Sequence, residues 1–193
     1  MPELTGGILA GGGSRRMGGQ DKAVLLLDGV PLIQHVAQRL RPLVGELLIN
    51  TRSTNPLLTG LADRCVKDAD RFAGQGPLTG IQTLLAASAT PWMLIVPCDA
   101  PLVPVDALQA LIDSVERHAK PAVIRVKGRV NPVCCALSRD CLPAIEASLS
   151  QGRQHTGQVI ASLAPEFVDH DDDRPGLWSL NTADELAACA STR

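Results

Sequence analysis

Short apolar runs alternate along the chain with stretches whose apolar residues recur at helical spacing, and that alternation restricts it to a layered α/β architecture. The strand-like runs are Thr5 to Leu9, Leu47 to Asn50 and Met93 to Val96; the helical patterns are Leu32 to Leu43 and Leu78 to Ala89. Pro104 opens a further helix to His118, with Leu108, Leu111, Ile112 and Val115 on one stripe, and Ala122 to Val126 follows as a strand. Strand, helix, strand repeats of this kind predict βαβ units and a mostly parallel sheet covered on both faces.

The remainder departs from that rule. Ala122 to Val126 and Val133 to Leu137 are two strand-like runs joined by Lys127 to Pro132, whose glycine and proline suit a turn, so a small antiparallel insertion is expected there. Helices are predicted from about Arg139 to Leu149, from about Thr156 to Leu163 and from Thr182 to Ala190, with a strand near Phe167. No repeat or linker divides the chain, and 193 residues with 45% hydrophobic content suffice for one core, so a single domain spanning 1–193 is expected.

The most chemically specific stretch is Ile8 to Lys22, where five glycines, two arginines and a lysine follow the first strand. Gly11, Gly12 and Gly13 let backbone N–H groups approach phosphate oxygens without a Cβ in the way, and Arg15, Arg16 and Lys22 supply countercharge. The P-loop pattern fails, because Lys22 follows Asp21 and precedes Ala23; the dinucleotide fingerprint fails, because Arg16 stands where its third glycine belongs. With a net charge of -2 the chain has no global attraction for nucleic acid or an anionic membrane, so phosphate affinity has to be local. The N-terminus has no basic and apolar leader pattern, and a cytoplasmic location is expected.

A second feature is Leu94 to Pro101, an apolar strand ending on Asp99 between Pro97 and Pro101. A carboxylate at the C-terminal edge of a parallel strand is placed to hold Mg²⁺ beside phosphates, and is equally compatible with capping the next turn. Asn50 and Asp68 stand at further strand ends, where each can bond a base or ribose or simply start a loop. Gly74 to Gly80 is another small-residue passage, leading into a helix. The four histidines have no ligand or triad spacing, and most are expected as solvated helix or loop residues; the acidic cluster Asp169, Asp171, Asp172 and Asp173 lacks the spacing of a calcium loop and is expected as a solvated turn. Six cysteines include no C-x-x-C pair, and Cys134-Cys135 lies inside an apolar run, so reduced core thiols are expected.

The run from Leu9 to Lys22 resembles the signature of nucleotidyltransferases that activate sugars, polyols and cofactors with a nucleoside triphosphate, and within them the molybdenum cofactor guanylyltransferases. The similarity extends through Asp28 to His35, Gly76 to Gly80, Pro97 to Pro101, Asn131-Pro132 and Leu180 to Leu186, covering nearly the whole chain. It implies a Rossmann-like three-layer α/β/α nucleotidyltransferase fold with a nucleotide-binding half at about 1–100 and an acceptor half at about 101–193. It implies GMP transfer from GTP to the terminal phosphate of molybdopterin, giving molybdopterin guanine dinucleotide and pyrophosphate. Leu9, Ala10, Gly11, Gly12, Asn50 and Gly80 would contact the nucleotide, Asp68 its base or ribose side, Arg16 and Lys22 its phosphates, and Asp99 a Mg²⁺ cofactor. Asn181 would lie toward the pterin. Implied partners are GTP, molybdopterin and the insertion and chaperone proteins of molybdoenzymes, with no nucleic acid and no membrane.

The family's His-Pro before the second strand of the insertion is here Asn131-Pro132, which removes the residue that a pterin-side role would use. The attacking group would be a phosphate monoester already ionised near neutrality, its second pKa being about 6, so no general base is required. Two other functions suit the same residues: cytidylyl transfer to the same cofactor, or a carrier that binds GTP or molybdopterin without chemistry.

Overall fold

A computed structural model describes residues 3–11, 22–174, 176–180, 185, 186 and 189. Its centre is a seven-stranded sheet of β1 (Leu4–Leu9), β4 (Glu46–Asn50), β5 (Arg64–Val66), β6 (Trp92–Pro97), β7 (Ala122–Val126), β8 (Arg129–Ser138) and β9 (Glu166–His170), in the order β5-β4-β1-β6-β8-β7-β9. All pairings are parallel except those of β8, which runs against both β6 and β7. The hairpin expected after Ala122 therefore forms, but it is built into the main sheet. A separate two-stranded antiparallel sheet, β2 (Leu26–Leu27) with β3 (Val30–Pro31), lies ahead of the first helix.

Side chains alternate across the sheet and divide the core in two. Ile8, Leu47, Ile49, Leu94, Val96 and Ile124 face α1 (Leu32–Leu40), α2 (Pro56–Leu61) and α4 (Val105–His118). Leu9, Leu48, Met93, Ile95 and Val123 face α3 (Pro77–Ala87), α5 (Leu142–Ser150) and α6 (Thr156–Ser162). The same alternation sends Cys134 into the first layer and Cys135 into the second. None of the six cysteines is in a disulfide, and burial pushes the Cys134 thiol up to about 12. The neighbouring thiols are thus small core side chains on opposite faces, as expected of a reduced pair.

Both tight hairpins are closed by left-handed pairs, Asp28 and Gly29 (φ 53° and 75°) in one and Lys127 and Gly128 (φ 46° and 79°) in the other. Positive φ at both central residues is what a right-handedly twisted two-residue hairpin demands. In β1, glycine serves packing: a Cβ on Gly7 would lie 3.0 Å from Leu84 Cδ1 and 3.2 Å from Met93 Sδ. Its absence lets α3 sit close over the central strand. His35 is the buried exception among the histidines: it lies on α1, with Nε2 3.0 Å from the Leu27 carbonyl oxygen, and so ties that helix to the β2–β3 hairpin.

Asp63 anchors the edge of the sheet. Its carboxylate accepts from the Leu47 backbone amide at 2.7 Å and from two Arg41 guanidinium nitrogens. These donors hold its pKa at about 2, below the ordinary 3.8. The ionised form therefore stabilises the fold above pH 4, and the contribution fades as pH falls from about 4 towards 2. Asp63→Asn is expected to lower stability by up to about 1 kcal/mol at pH 7, because the Leu47 amide then meets a neutral acceptor in place of a carboxylate and the solvent-screened ion pair with Arg41 is lost. Thermal melts should show the gap between wild type and variant closing towards pH 2.

Candidate active site

Ligands of open α/β sheets bind outside the carboxyl ends of the strands, where successive connections leave in opposite directions. Here that crevice lies between β1 and β6, because the chain leaves β1 towards β4 and leaves β6 towards the β8–β7 side. The register puts Leu9 opposite Asn50 on one side and Pro97 on the other, so three strand ends meet in one row. The residues expected to act from the sheet edge are brought together.

The left part of the row is built around Asn50, which is 2% exposed. Its backbone carbonyl accepts from the Ala10 amide at 2.9 Å, fixing the first residue beyond β1. Its side-chain amide donates to Asp68 Oδ1 at 2.8 Å. Asp68 also accepts from Thr83 Oγ1 at 3.3 Å and from Arg52 at 3.5 Å. With Nδ2 committed to Asp68, the Asn50 carbonyl oxygen is turned towards two glycines. A Cβ on Gly11 would come within 2.7 Å of Oδ1, and one on Gly80 within 2.5 Å of Oδ1 and 2.7 Å of Leu9 Cδ2. Glycine at both positions is thus a condition for this asparagine orientation, and Gly80 is delivered by α3, whose start is set by Gly76 at φ 80° and Pro77. Thr83, one turn beyond Gly80, is a supporting residue that sequence reasoning missed; only its helical spacing from Gly80 could have flagged it.

The right part of the row carries the charges. After β6 the Cys98 amide donates to the Leu9 carbonyl at 3.0 Å, and the Ala100 amide to that of Pro97 at 3.2 Å, making a turn that presents Asp99 at the edge. Buried Cys98 and Ala100 pin this turn on both sides. Lys22 starts a short 3-10 helix, Lys22–Val24, whose Ala23 is locked into the core beside α1. Lys22 Nζ donates to Asp99 Oδ2 at 2.6 Å, with the two side chains 23% and 22% exposed. A cation and a carboxylate are thereby held together at the crevice, partly shielded from water.

Among the described residues, no three His, Cys, Asp or Glu side chains are grouped so as to cage a metal. A single hard carboxylate beside a lysine at the sheet edge does fit Mg²⁺, an ion that keeps several waters and takes only one or two protein carboxylates. The donor set does not fit a closed zinc or calcium site. Gly12, Gly13, Arg15, Arg16 and Asn181 lie outside the described residues, as does most of the predicted helix from Thr182 to Ala190.

A family model described as the MobA-like NTP transferase domain matches residues 6–167, spanning every element of this row. The chain belongs to that family. It is a nucleotidyltransferase, and among the described residues Gly11, Lys22, Asn50, Gly80 and Asp99 stand at one edge of its sheet. Molybdenum cofactor guanylyltransferase of Pseudomonas paraeruginosa is 34% identical over 188 residues, covering 97% of this chain and 94% of the relative. The protein of the same name from Cupriavidus taiwanensis is 36% identical over 195 residues, covering 96% of each. The crystal structure of molybdopterin-guanine dinucleotide biosynthesis protein A from Archaeoglobus fulgidus, 18% identical, shares the fold with a TM-score of 0.75 over 96% of each chain.

The acidic cluster at Asp169–Asp173 makes ion pairs within the fold. Asp169 pairs with Arg125 through both carboxylate oxygens at 2.5 and 2.6 Å, and Asp173 with Lys127 at 2.7 Å. The acidic cluster is solvated, with Asp169, Asp171 and Asp173 exposed, and two of its carboxylates strap β9 and the segment after it to β7 and its turn. No helix among the described residues is long and apolar enough to cross a membrane.

Proposed function

We propose that this chain transfers GMP from GTP to the terminal phosphate of molybdopterin, forming molybdopterin guanine dinucleotide and releasing pyrophosphate. The observation that carries the reading is near-full-length similarity to proteins named molybdenum cofactor guanylyltransferase, at 34% and 36% identity. The geometry supports it in chemical terms. Leu9, Ala10, Gly11, Gly12, Asn50 and Gly80 seat the nucleotide, with Asp68 at its base or ribose side. Arg16 and Lys22 meet the phosphates, the half at about 1–100 serves the nucleotide, and the half at about 101–193, with Asn181, serves the acceptor.

Asp99 would hold Mg²⁺, which when bound neutralises charge on the triphosphate. The reaction joins an acceptor phosphate oxygen to the α-phosphorus of GTP and breaks the bond to the β-phosphate. Because the acceptor oxygen is ionised already, the protein needs to align and neutralise rather than abstract a proton. Lys22 is suited to this: its ammonium is held at the crevice by Asp99 and can exchange that partner for phosphate oxygens. Placement in the cytoplasm and delivery of the product to molybdoenzyme chaperones belong to the same reading.

The test is nucleotide selectivity in thermal melts. A ligand that binds only the native state at a hundred times its Kd adds about 2.7 kcal/mol. GTP with Mg²⁺ is expected to raise the Tm by several degrees, more than ATP, UTP or CTP, and pyrophosphate should appear when molybdopterin is added. A larger shift with CTP would replace guanylyl by cytidylyl transfer; binding without pyrophosphate would make the chain a carrier.

A further inference from the structure

Lys22 and Asp99 come from distant parts of the chain, yet their side chains meet at 2.6 Å on the sheet edge. The backbone after each of them runs into one small apolar cluster. Leu25, whose amide donates to the Lys22 carbonyl at 3.3 Å, and Leu102, in the turn after Asp99, both join buried Leu27, Leu32, Leu180 and Cys189. Leu180 and Cys189 belong to the part of the chain that follows β9. We infer that this end segment is a positioning element for the Lys22–Asp99 pair, with Leu180 as its principal residue. The inference rests on the guanylyl-transfer reading for what the pair acts on, and adds what fixes the pair in place.

The segment is bonded directly to the turn that carries Asp99, because the Leu102 amide donates to the Gly176 carbonyl at 2.9 Å. Gly176 is buried at φ 83°, a backbone conformation that residues with a side chain rarely adopt. A Cβ there would lie 2.5 Å from Cys189 Sγ and 3.3 Å from Leu102 Cδ1, so only glycine lets the segment close on that turn. Two residues on, Trp178 Nε1 donates to the Asp172 carbonyl at 2.6 Å, and its ring meets that of His170 edge-on at 5.1 Å. These contacts tie the segment to β9. It thus runs from β9 past the Asp99 turn to the β2–β3 hairpin, where Leu180 joins Leu27 in the cluster.

The main core fixes the backbone next to each charge, through Ala23 on one side and Cys98 and Ala100 on the other. Leu25 and Leu102 join the small cluster, and that cluster is completed from the end of the chain. Truncating Leu180, which is 2% exposed, leaves a void into which its neighbours relax only in part. The displacement passes to Leu25 and Leu102 and from them to the two charges. Moving a positioning group by about 1 Å can cost about 10²-fold in rate, because alignment in the transition state is lost while the groups themselves remain. Leu180 therefore acts through Lys22 and Asp99 and needs no contact with substrate.

The test compares wild type with Leu180→Ala, Leu180→Met and Leu40→Ala, the last opening a similar void in the main core at the far end of α1. Leu180→Ala is expected to lower kcat by about tenfold or more and to leave the calorimetric Kd for GTP within about threefold, since both charges stay in the site. Leu180→Met should restore kcat to within about threefold of wild type, and Leu40→Ala should lower Tm without that loss. Hydrogen exchange at the Leu25 and Leu102 amides, relative to the β1 amides, should accelerate about tenfold in Leu180→Ala and not in Leu40→Ala. In a Lys22→Ala background, Leu180→Ala should cost less than about twofold more in kcat, because the group it positions is gone, while its effect on Tm persists. Should Leu180→Ala fail to fold, Leu186→Ala, half-buried against the same cluster, carries the same comparison. A loss of turnover no larger than in Leu40→Ala, the same loss with and without Lys22, or unchanged exchange at Leu25 and Leu102 would each overturn the inference. If wild type releases no pyrophosphate from GTP and molybdopterin, but exchange at Leu25 and Leu102 responds to Leu180, the guanylyl-transfer reading falls and the positioning of the pair stands.

Discussion

Asp99→Ala and Lys22→Ala are each expected to lower the rate of nucleotidyl transfer by about 10²–10³-fold while the protein remains folded, since removing one preorganised charge from a transferring phosphoryl group has that order of effect. The two side chains meet at 2.6 Å with about a fifth of each surface exposed. A partly solvated pair contributes only about 1 kcal/mol to stability, so circular dichroism and thermal melts should show a small change. The two variants should differ in how they fail. Lys22→Ala removes a phosphate partner and should weaken GTP binding as well as turnover, whereas Asp99→Ala should flatten the dependence of turnover on Mg²⁺ concentration. Turnover within a few-fold of wild type in Asp99→Ala would sink the metal assignment.

The second large effect is expected at Gly80. A methyl group there would stand 2.5 Å from Asn50 Oδ1 and 2.7 Å from Leu9 Cδ2, and neither neighbour has room to yield: Asn50 is held by Asp68, and Leu9 by its register with Asn50 and Pro97. Gly80→Ala should therefore turn the asparagine out of its orientation, weaken GTP binding by more than tenfold and destabilise the fold by about 1–3 kcal/mol through overpacking. Gly60 in α2 is the control, because a Cβ there meets nothing within 4 Å. Gly60→Ala should leave GTP binding unchanged and raise stability by up to about 1 kcal/mol. If calorimetry gave the two variants equal GTP affinities, Gly80 would not bound the nucleotide site.

Much of this was legible in the residues. Period-two and helical spacing placed β1, β4, β6, β7 and every helix from α3 to α6 to within a few residues, since those segments are apolar on the faces that meet. The β2–β3 hairpin and α2 were missed. Each is too short to show a period, although Asp28-Gly29 is the turn pair that a two-residue hairpin favours and Asn55-Pro56 is a capped helix start. The candidate residues Asn50, Gly80 and Asp99 could be nominated from strand ends and glycines, but the bonds that Asn50 and Thr83 both donate to Asp68 could not. Asp68 comes from the segment after β5 and Thr83 from α3, and only the packing of α3 over the sheet makes them neighbours. The burial of His35 could not be read, because one histidine on an amphipathic helix carries no signal of which side it faces.

The reversed strand β8 has a consequence for how the chain is made. Among the described residues, its pairing with β6, from Trp92 opposite Ser138 to Ile95 opposite Cys135, is the only link in the sheet between the strands up to Pro97 and those from Ala122 onward. Ser138 is synthesised 41 residues after Pro97. At about 5–20 residues per second, the apolar edge Met93 to Val96 would wait about 2–8 s on the ribosome without its neighbour, as an open strand able to pair with any other chain. The seam that joins the two parts of the sheet is therefore also the point at which slowed translation would expose the nascent protein to aggregation.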